Sequence, residues 1–341
     1  MIPHGVRLEQ NKSAFLKQGI RSVPEPADAP APPSFAPLRG EAGGGRILTA
    51  AKKAGIDDET DGAPLEKKLA ELAERRTALL VACCFDDDPY AASEQAVLRE
   101  DAEKVAAGLA LAAKACRAGE TLIAVASKGE ARRLAAQGVG VPAAAVGKRY
   151  PAGFLLMKKL RRGGKTAAFV GAQACAALAD AVRDGRPQSE TVVTVAGDGA
   201  GACGNYRVRI GMPVEAVLKA AGADGRAEFA AVGPAMTGRS VRDLTMPVTA
   251  AARCVVVMKK APVQRTFPCV RCGRCARACP VGVVPWLVHR ELEGGSPDPL
   301  LLFHVGECLG CRGCAAVCPS GIELAAEVKR AAALKEGGRA G

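Results

Sequence analysis

The sequence predicts an α+β multidomain protein with a layered α/β core, an inserted β-grasp unit and a helical C-terminal module. Three observations predict it. Apolar strand runs and amphipathic helix patterns alternate between residues 77 and 185, as they do in layered α/β domains. Two β-rich runs flank a glycine turn at 191–222, ahead of a helix opened by proline. Many of the 14 cysteines fall near the end of the 341-residue chain, in two copies of one spacing. Since 49% of residues are apolar but only 4% aromatic, the cores are expected to be built from Ala, Val and Leu.

Residues 1–45 carry PEPADAPAPPSFAP and a glycine run, and read as an extended arm. An α/β domain is expected over 46–190. It opens with a helix in EKKLAELAERR and continues with a buried strand at 77–85, one helix over 94–118, a strand at 121–127 and a helix at 128–137. AAFVGAQACAALADAVRDG carries the alternation to about residue 185. The β-grasp unit spans 191–225, where Pro213 starts its helix and Gly222 stops it. Residues 226–262 are expected to return to the α/β domain through a strand in 247–260, leaving the cysteine module at 263–330 and a tail at 331–341. No run reaches the roughly 18 apolar residues of a membrane-spanning helix, and the first residues have no apolar signal core. The chain is therefore expected in the cytoplasm, or peripherally on the cytoplasmic face of a membrane.

The doubled pattern is Cys269-x2-Cys272-x2-Cys275-x3-Cys279-Pro280 and Cys308-x2-Cys311-x2-Cys314-x3-Cys318-Pro319, each member 39 residues after its counterpart. This is the bacterial ferredoxin run, in which three close thiolates hold one cubane and the fourth reaches the other. The expected ligand sets are Cys269, Cys272, Cys275 and Cys318 for one 4Fe-4S cluster, and Cys308, Cys311, Cys314 and Cys279 for the second. Two-residue gaps let a tight loop aim three sulfurs inward while its N–H groups face the inorganic sulfides. Gly273, Gly310 and Gly313 are expected to permit that approach. Zinc takes four ligands and does not account for two matched sets, each followed by proline. Trp286, His289 and His304 lie between the copies and are read as packing beside the clusters. Cys83, Cys84, Cys116, Cys175, Cys203 and Cys254 stand in Ala- and Val-rich surroundings and are read as small buried hydrophobes.

The 47 Lys and Arg exceed the 35 Asp and Glu, giving +12, so acidic partners are favoured. Basic residues gather at Lys158, Lys159, Arg161, Arg162 and Lys165, and again at Arg265, Arg271, Arg274 and Arg277. Their ordinary fate is a solvated face, yet cations beside a cluster also raise its potential and steer acidic redox partners. Nucleic acid is not expected as a partner, because stacking aromatics do not interleave the basic residues.

From about residue 77 to 325 the chain resembles the RnfC family, the C subunit of Rnf electron transport complexes, related to the flavin- and NADH-binding subunit of respiratory complex I. The likeness runs through DDDPYAASEQAVLRE (86–100), VTVAGD, GNYRVRIG, VGPAMTG (232–238), PVT (247–249) and the dicluster segment. It implies a flavin-domain-like α/β core, an SLBB-like β-grasp unit and a dicluster ferredoxin domain. At the front only GVRLEQNK (5–12) is similar to the family's opening, and the arm is too short for the family's barrel-sandwich domain. The family's glycine loop, GIVGLGGAGFP, falls on residues 55–64, where Gly55 and Gly62 persist but Asp57, Asp58, Glu59 and Asp61 intervene. The family's acidic cofactor-facing motif falls on Asp86 and Asp88, whose plainer reading is a solvated loop capping the next helix. Gly55, Gly62, Asp86 and Asp88 are thus the candidate remnant of a flavin or NADH site. Phosphate requires close backbone N–H groups, which carboxylates oppose, so FMN and NADH are not expected there.

The leading expectation is an electron-transfer subunit relaying single electrons through two 4Fe-4S clusters, RnfC-like, without NADH dehydrogenase activity of its own. Its partners would be ferredoxin, flavodoxin or dehydrogenase subunits, or a membrane electron-transport complex. Two alternatives stand beside it: an NADH-oxidising flavin subunit of an Rnf-type ion-translocating complex, and a docking adaptor whose clusters only brace the fold.

Overall fold

A computed structural model of the chain describes residues 8–25, 29–223, 227–261, 265–295 and 304–337. Residues 5–7 of the expected opening segment, part of the link between the cysteine runs and the end of the expected tail lie outside the described residues. The chain divides into two compact units. One comprises Arg7–Lys148 with Leu156–Lys260, and the other gathers Arg149–Leu155 with the stretch from Ala261 onward.

The larger unit runs α1 (Leu8–Lys17), β1 (Ile20–Ser22), α2 (Gly44–Lys53), β2 (Asp57–Asp58), β3 (Ala63–Pro64), α3 (Leu65–Glu74), β4 (Leu79–Cys84), α4 (Ser93–Glu100), α5 (Ala102–Cys116), β5 (Glu120–Val125), α6 (Lys128–Ala136) and β6 (Ala143–Ala145). After α7 (Ala152–Arg162) come β7 (Ala167–Gly171), α8 (Ala172–Asp184), β8 (Glu190–Ala196), β9 (Gly204–Arg209), α9 (Val214–Ala220), β10 (Phe229–Val232), β11 (Arg239–Val241) and β12 (Cys254–Met258).

Four parallel strands stand in the order β6-β5-β4-β7. Every residue of β4 is buried, as expected of a strand covered on both faces. Its register sets Ala82 opposite both Ile123 and Val170. α5 and α8 pack so closely that a Cβ on Gly108 would overlap the Cys175 carbonyl. This contact explains how an Ala-rich core with few aromatics reaches native density: small side chains let the helix backbones approach. The helix expected over 94–118 is two helices, because Asp101 leaves helical geometry and its side chain accepts from Lys104 N, capping α5.

A second sheet has the order β1-β9-β8-β12-β10-β11, with α9 supplying Val214, Val217 and Leu218 to a core shared with Val193, Val195, Val208, Val255 and Val257. Two expectations change here. Residues 1–45 are not simply an extended arm: α1 and β1 form, β1 pairs parallel with β9, and Phe15 and Val23 are buried. Residues 226–262 do not return to the α/β sheet either. β12 pairs with β8 and β10 pairs with β12, so they complete the sheet that β8 and β9 begin. The pairings that decide this are long-range and leave no local pattern in sequence.

The smaller unit contains α10 (Arg274–Ala278), α11 (Pro285–Glu293), α12 (Gly313–Ala316) and α13 (Leu324–Gly337). Pro285 occupies the first turn of α11, where its missing N–H costs nothing.

Candidate functional sites

In the α/β sheet, β4, β5 and β6 step outward one way and β7 returns to the other side of β4. The crevice beyond the C-terminal ends of β4 and β7 is thus the topological switch point, where open α/β sheets place ligands. One wall of it is the N-terminus of α8, whose first N–H groups lack helical partners and attract anions. Those donors are already taken by the chain's own carboxylates. Asp58 accepts from Gly171 N at 3.2 Å, Glu94 from Ala172 N at 3.1 Å, and Glu59 from Gln173 N at 2.7 Å and Ala174 N at 3.0 Å. Gly171 is required beside them, because a Cβ there would overlap the Glu59 carboxylate. Asp58 also receives Lys68 Nζ at 2.7 Å, and the same ammonium meets Asp61 at 2.7 Å.

The electrostatics follow from burial. Asp58 and Glu94 are 0% exposed and Glu59 is 3% exposed. Burial first, then the charges of Glu94 and Asp58, hold the Glu59 carboxyl well above the usual range. Burial raises the Glu94 carboxyl as well, and the pair act oppositely on each other, Glu94 pushing Glu59 up and Glu59 holding Glu94 down. Arg253 sits among these acids. Burial disfavours its charge, but Glu94 and Asp86 outweigh that and raise its pKa.

The sequence-derived cofactor residues each have a structural partner. Gly55 ends α2 and Gly62 closes the β2–β3 turn, its N–H donating to Asp58 O at 2.7 Å, and both have positive φ. Asp86 caps α4 through Ser93 Oγ and Glu94 N. Asp88 accepts from Tyr90 N and from Met236 N at 3.0 Å. Both aspartates are buried, so the expectation of a solvated loop is corrected, while the cap itself forms. A flavin or nucleotide phosphate does not fit at the α8 N-terminus, since carboxylate oxygens already hold the donors and the space. Sequence reading placed acids in this loop but missed that Asp58 and Glu59 turn inward. The N–H donors that meet them lie more than a hundred residues away and leave no local signal.

The cysteine runs share one backbone. Arg271 and Gly310 are equivalent at the 39-residue offset and have φ of +52° and +65°, while Gly273 and Arg312 have +69° and +59°. Two left-handed residues at the same positions turn successive N–H groups to one side, the arrangement of a backbone anion nest. The glycine reading captured Gly273 and Gly310. It missed Arg271 and Arg312, which adopt the same conformation against the usual preference of a side chain.

The runs pack head to tail. Phe267 N donates to Ser320 O at 2.8 Å and Ser320 Oγ to Pro268 O at 2.9 Å, bringing the start of the first run to the end of the second. Cys275 and Cys318 are buried together, with Cys269, Trp286 and Cys314 against them. Cys272 is exposed. Cys279 joins Cys308, Cys311 and Cys314 in lining one cavity with Val283, Ala325 and Val328. Burial first, then the neighbouring Cys311, Cys308 and Cys279, push the Cys314 thiol up to about 12. Burial also raises the Cys311 thiol, and a thiol ligand gives up its proton when it binds a metal. Among the described residues no group of three or more His, Cys, Asp or Glu side chains is placed to hold a single metal ion.

Tyr150 belongs to this unit and escaped the sequence reading. Its hydroxyl donates to the Cys311 carbonyl at 2.8 Å and its ring lies against Gly313. His289 Nδ1 lies 2.9 Å from Glu327, and His304 is exposed beside Glu307. Cys83, Cys84, Cys116, Cys175 and Cys254 are buried and Cys203 half-buried.

The 4Fe-4S dicluster domain family matches residues 268–322. The chain is 29% identical over 262 residues to the C subunit of the ion-translocating oxidoreductase complex of Pseudomonas aeruginosa, covering 70% of this chain and 34% of that protein. It is 30% identical over 220 residues to the same subunit from Serratia proteamaculans, covering 58% and 31%. The Rhodobacter capsulatus counterpart is 28% identical over 229 residues, covering 61% and 44%. The chain therefore spans roughly a third to under half the length of these relatives. Two crystal structures of NAD+-reducing NiFe hydrogenase share its fold. The H2-reduced form has a TM-score of 0.55 at 18% identity, covering 79% of this chain and 52% of that one. The air-oxidised form has 0.58 at 16%, covering 86% and 66%. The protein is thus a mixed α+β chain with a C-terminal 4Fe-4S dicluster domain, similar to the C subunits of these ion-translocating complexes.

Proposed function

We propose that this chain, like the complex subunits it resembles, serves an oxidoreductase assembly, and that it relays single electrons through two 4Fe-4S clusters between partner redox proteins. One observation supports the reading: the fourth member of each run lies with members of the other, Cys318 buried with Cys275 and against Cys269, and Cys279 lining one cavity with Cys308, Cys311 and Cys314. Cys269, Cys272, Cys275 and Cys318 would hold one cluster, and Cys308, Cys311, Cys314 and Cys279 the other. The clusters would supply one-electron redox chemistry without proton transfer. The chain's own residues keep the sites dry on one side through Val283, Val288 and Val328, and leave Cys272 near solvent.

The larger unit is read as a flavin-domain-like fold that has given up its ligand, with the segment 191–225 as an SLBB-like β-grasp unit. Support comes from the switch point, where Asp58, Glu59 and Glu94 hold the donors a phosphate would need. On this reading the chain does not oxidise NADH by itself, and electrons enter and leave by way of other proteins. Among the described residues no helix is long and apolar enough to cross a membrane, which is compatible with peripheral attachment to a complex.

Anaerobic purification followed by iron, sulfide and flavin assays tests this. About eight iron and eight sulfide per chain are expected, with no flavin. Cluster absorbance should bleach with dithionite and not with NADH plus FMN. Iron near four, stoichiometric zinc, or rapid bleaching by NADH would overturn the reading.

A further inference from the structure

The two cysteine loops share a backbone but not a surface. At the 39-residue offset, Arg265 corresponds to His304, Arg271 to Gly310, Arg274 to Gly313 and Arg277 to Ala316, whereas Arg312 has Gly273 as its counterpart. The first loop thus carries four arginines and no acid between Arg265 and Cys279. All four are exposed, and among the described residues none is paired with a carboxylate. Arg277 donates to the Cys272 carbonyl. In the second loop the lone Arg312 is neutralised by Glu323 at 2.8 Å, and Glu307 adds a further acid beside His304.

Apolar exposure follows the same asymmetry. Val270 is 67% exposed and Phe267 57%, both flanking Cys269, against 43% for Leu309, the counterpart of Val270. Solvent-exposed Phe and Val beside a redox centre, ringed by unpaired arginines, form the apolar middle and charged rim of a transient protein contact.

We infer that the Arg265–Cys279 loop is the docking face for an acidic one-electron carrier protein, whose carboxylates meet Arg265, Arg271, Arg274 and Arg277 around a contact on Phe267 and Val270. The inference rests on the relay reading and names its partner class. One electron passes between the reduced carrier and the cluster behind Cys272, and nothing else is transferred. The second loop, electrically balanced, lacks this attraction and does not recruit the same carrier. Such steering raises association rates by roughly 10- to 1,000-fold and decays with salt over a Debye length of about 8 Å at physiological ionic strength.

The test is stopped-flow reduction of the anaerobic full-length protein by reduced flavodoxin, an acidic carrier, over a salt series. Arg271→Glu, Arg274→Glu and Arg277→Glu together should slow the second-order rate at least tenfold at low salt and flatten its salt dependence. The same variant should exchange electrons faster with cytochrome c, a basic carrier. Reversing Arg46, Lys67 and Arg75, three exposed charges of the other unit, should change the flavodoxin rate less than twofold. If the glutamates disturb cluster assembly, the three corresponding Arg→Gln changes should still give a graded loss. A flavodoxin rate insensitive to the loop changes, or equally sensitive to the remote ones, would overturn the docking face. Photoreduction with deazaflavin keeps the two readings separable: if it still reduces both clusters in the variants, the relay stands whatever happens to docking.

Discussion

Glu59→Ala is the most informative single change in the α/β unit. It strips the acceptors from Gln173 N and Ala174 N, two donors at the buried start of α8. Each stranded N–H costs about 1–3 kcal/mol. Removing an acid crowded against Glu94 and Asp58 returns part of that, leaving a net loss of about 2–4 kcal/mol. For a unit above 150 residues, about 2–4 °C of melting temperature accompany each kcal/mol, so the transition should fall by roughly 4–16 °C. The pH dependence is a second signature. The folded-state pKa of Glu59 is raised, so between its unfolded value near 4.5 and that higher value the folded state binds more protons. Stability therefore declines as pH rises through this window, and the Ala variant should show a shallower decline. Differential scanning calorimetry from pH 4.5 to 8 reads both effects. A melting point within 2 °C of the parent, with the same slope against pH, would mean that Glu59 does not hold the α8 N-terminus.

Lys68→Met should cost about 3–5 kcal/mol, because it leaves the fully buried Asp58 charge without its cation; urea unfolding of the larger unit measures it, and a loss below 1 kcal/mol would contradict the pairing. Cys279→Ser should perturb the EPR signal of the cluster assigned to Cys308, Cys311 and Cys314 and spare the other, whereas damage confined to the Cys269 set would refute the crossed assignment. Tyr150→Phe should lower stability by about 1 kcal/mol through the lost bond to Cys311 and alter the EPR of the second cluster alone; identical spectra would make the contact irrelevant to that site.

What could be read in advance divides by the range of the interaction. The 39-residue repeat places both cysteine sets because ligand spacing is local chemistry, and β4 is legible because a strand buried on both faces is continuously apolar. Asp101 could have been recognised as a cap, since its acid stands immediately before an Ala-rich helix. The pairing of Ile20 with Asn205, and the inward turn of Asp58 and Glu59, depend on partners more than a hundred residues away. A row of four acids looks solvated until the helix end that receives it is in place. The left-handed Arg271 and Arg312 were hidden for a different reason: the conformation is imposed by the loop and not favoured by the residue.

Because Tyr150 reaches the Cys311 loop from a segment made long before it, the iron-binding module is discontinuous along the chain. A fragment cut at residue 265 by inspection of the cysteine motifs would carry every thiol yet lack Arg149–Leu155, which group with that module. Such an excised piece should assemble its second cluster less durably than the first, and a graft of this module onto another scaffold needs two insertions. During synthesis, the same arrangement obliges Tyr150 to wait for the last fifth of the polypeptide before its hydroxyl finds an acceptor.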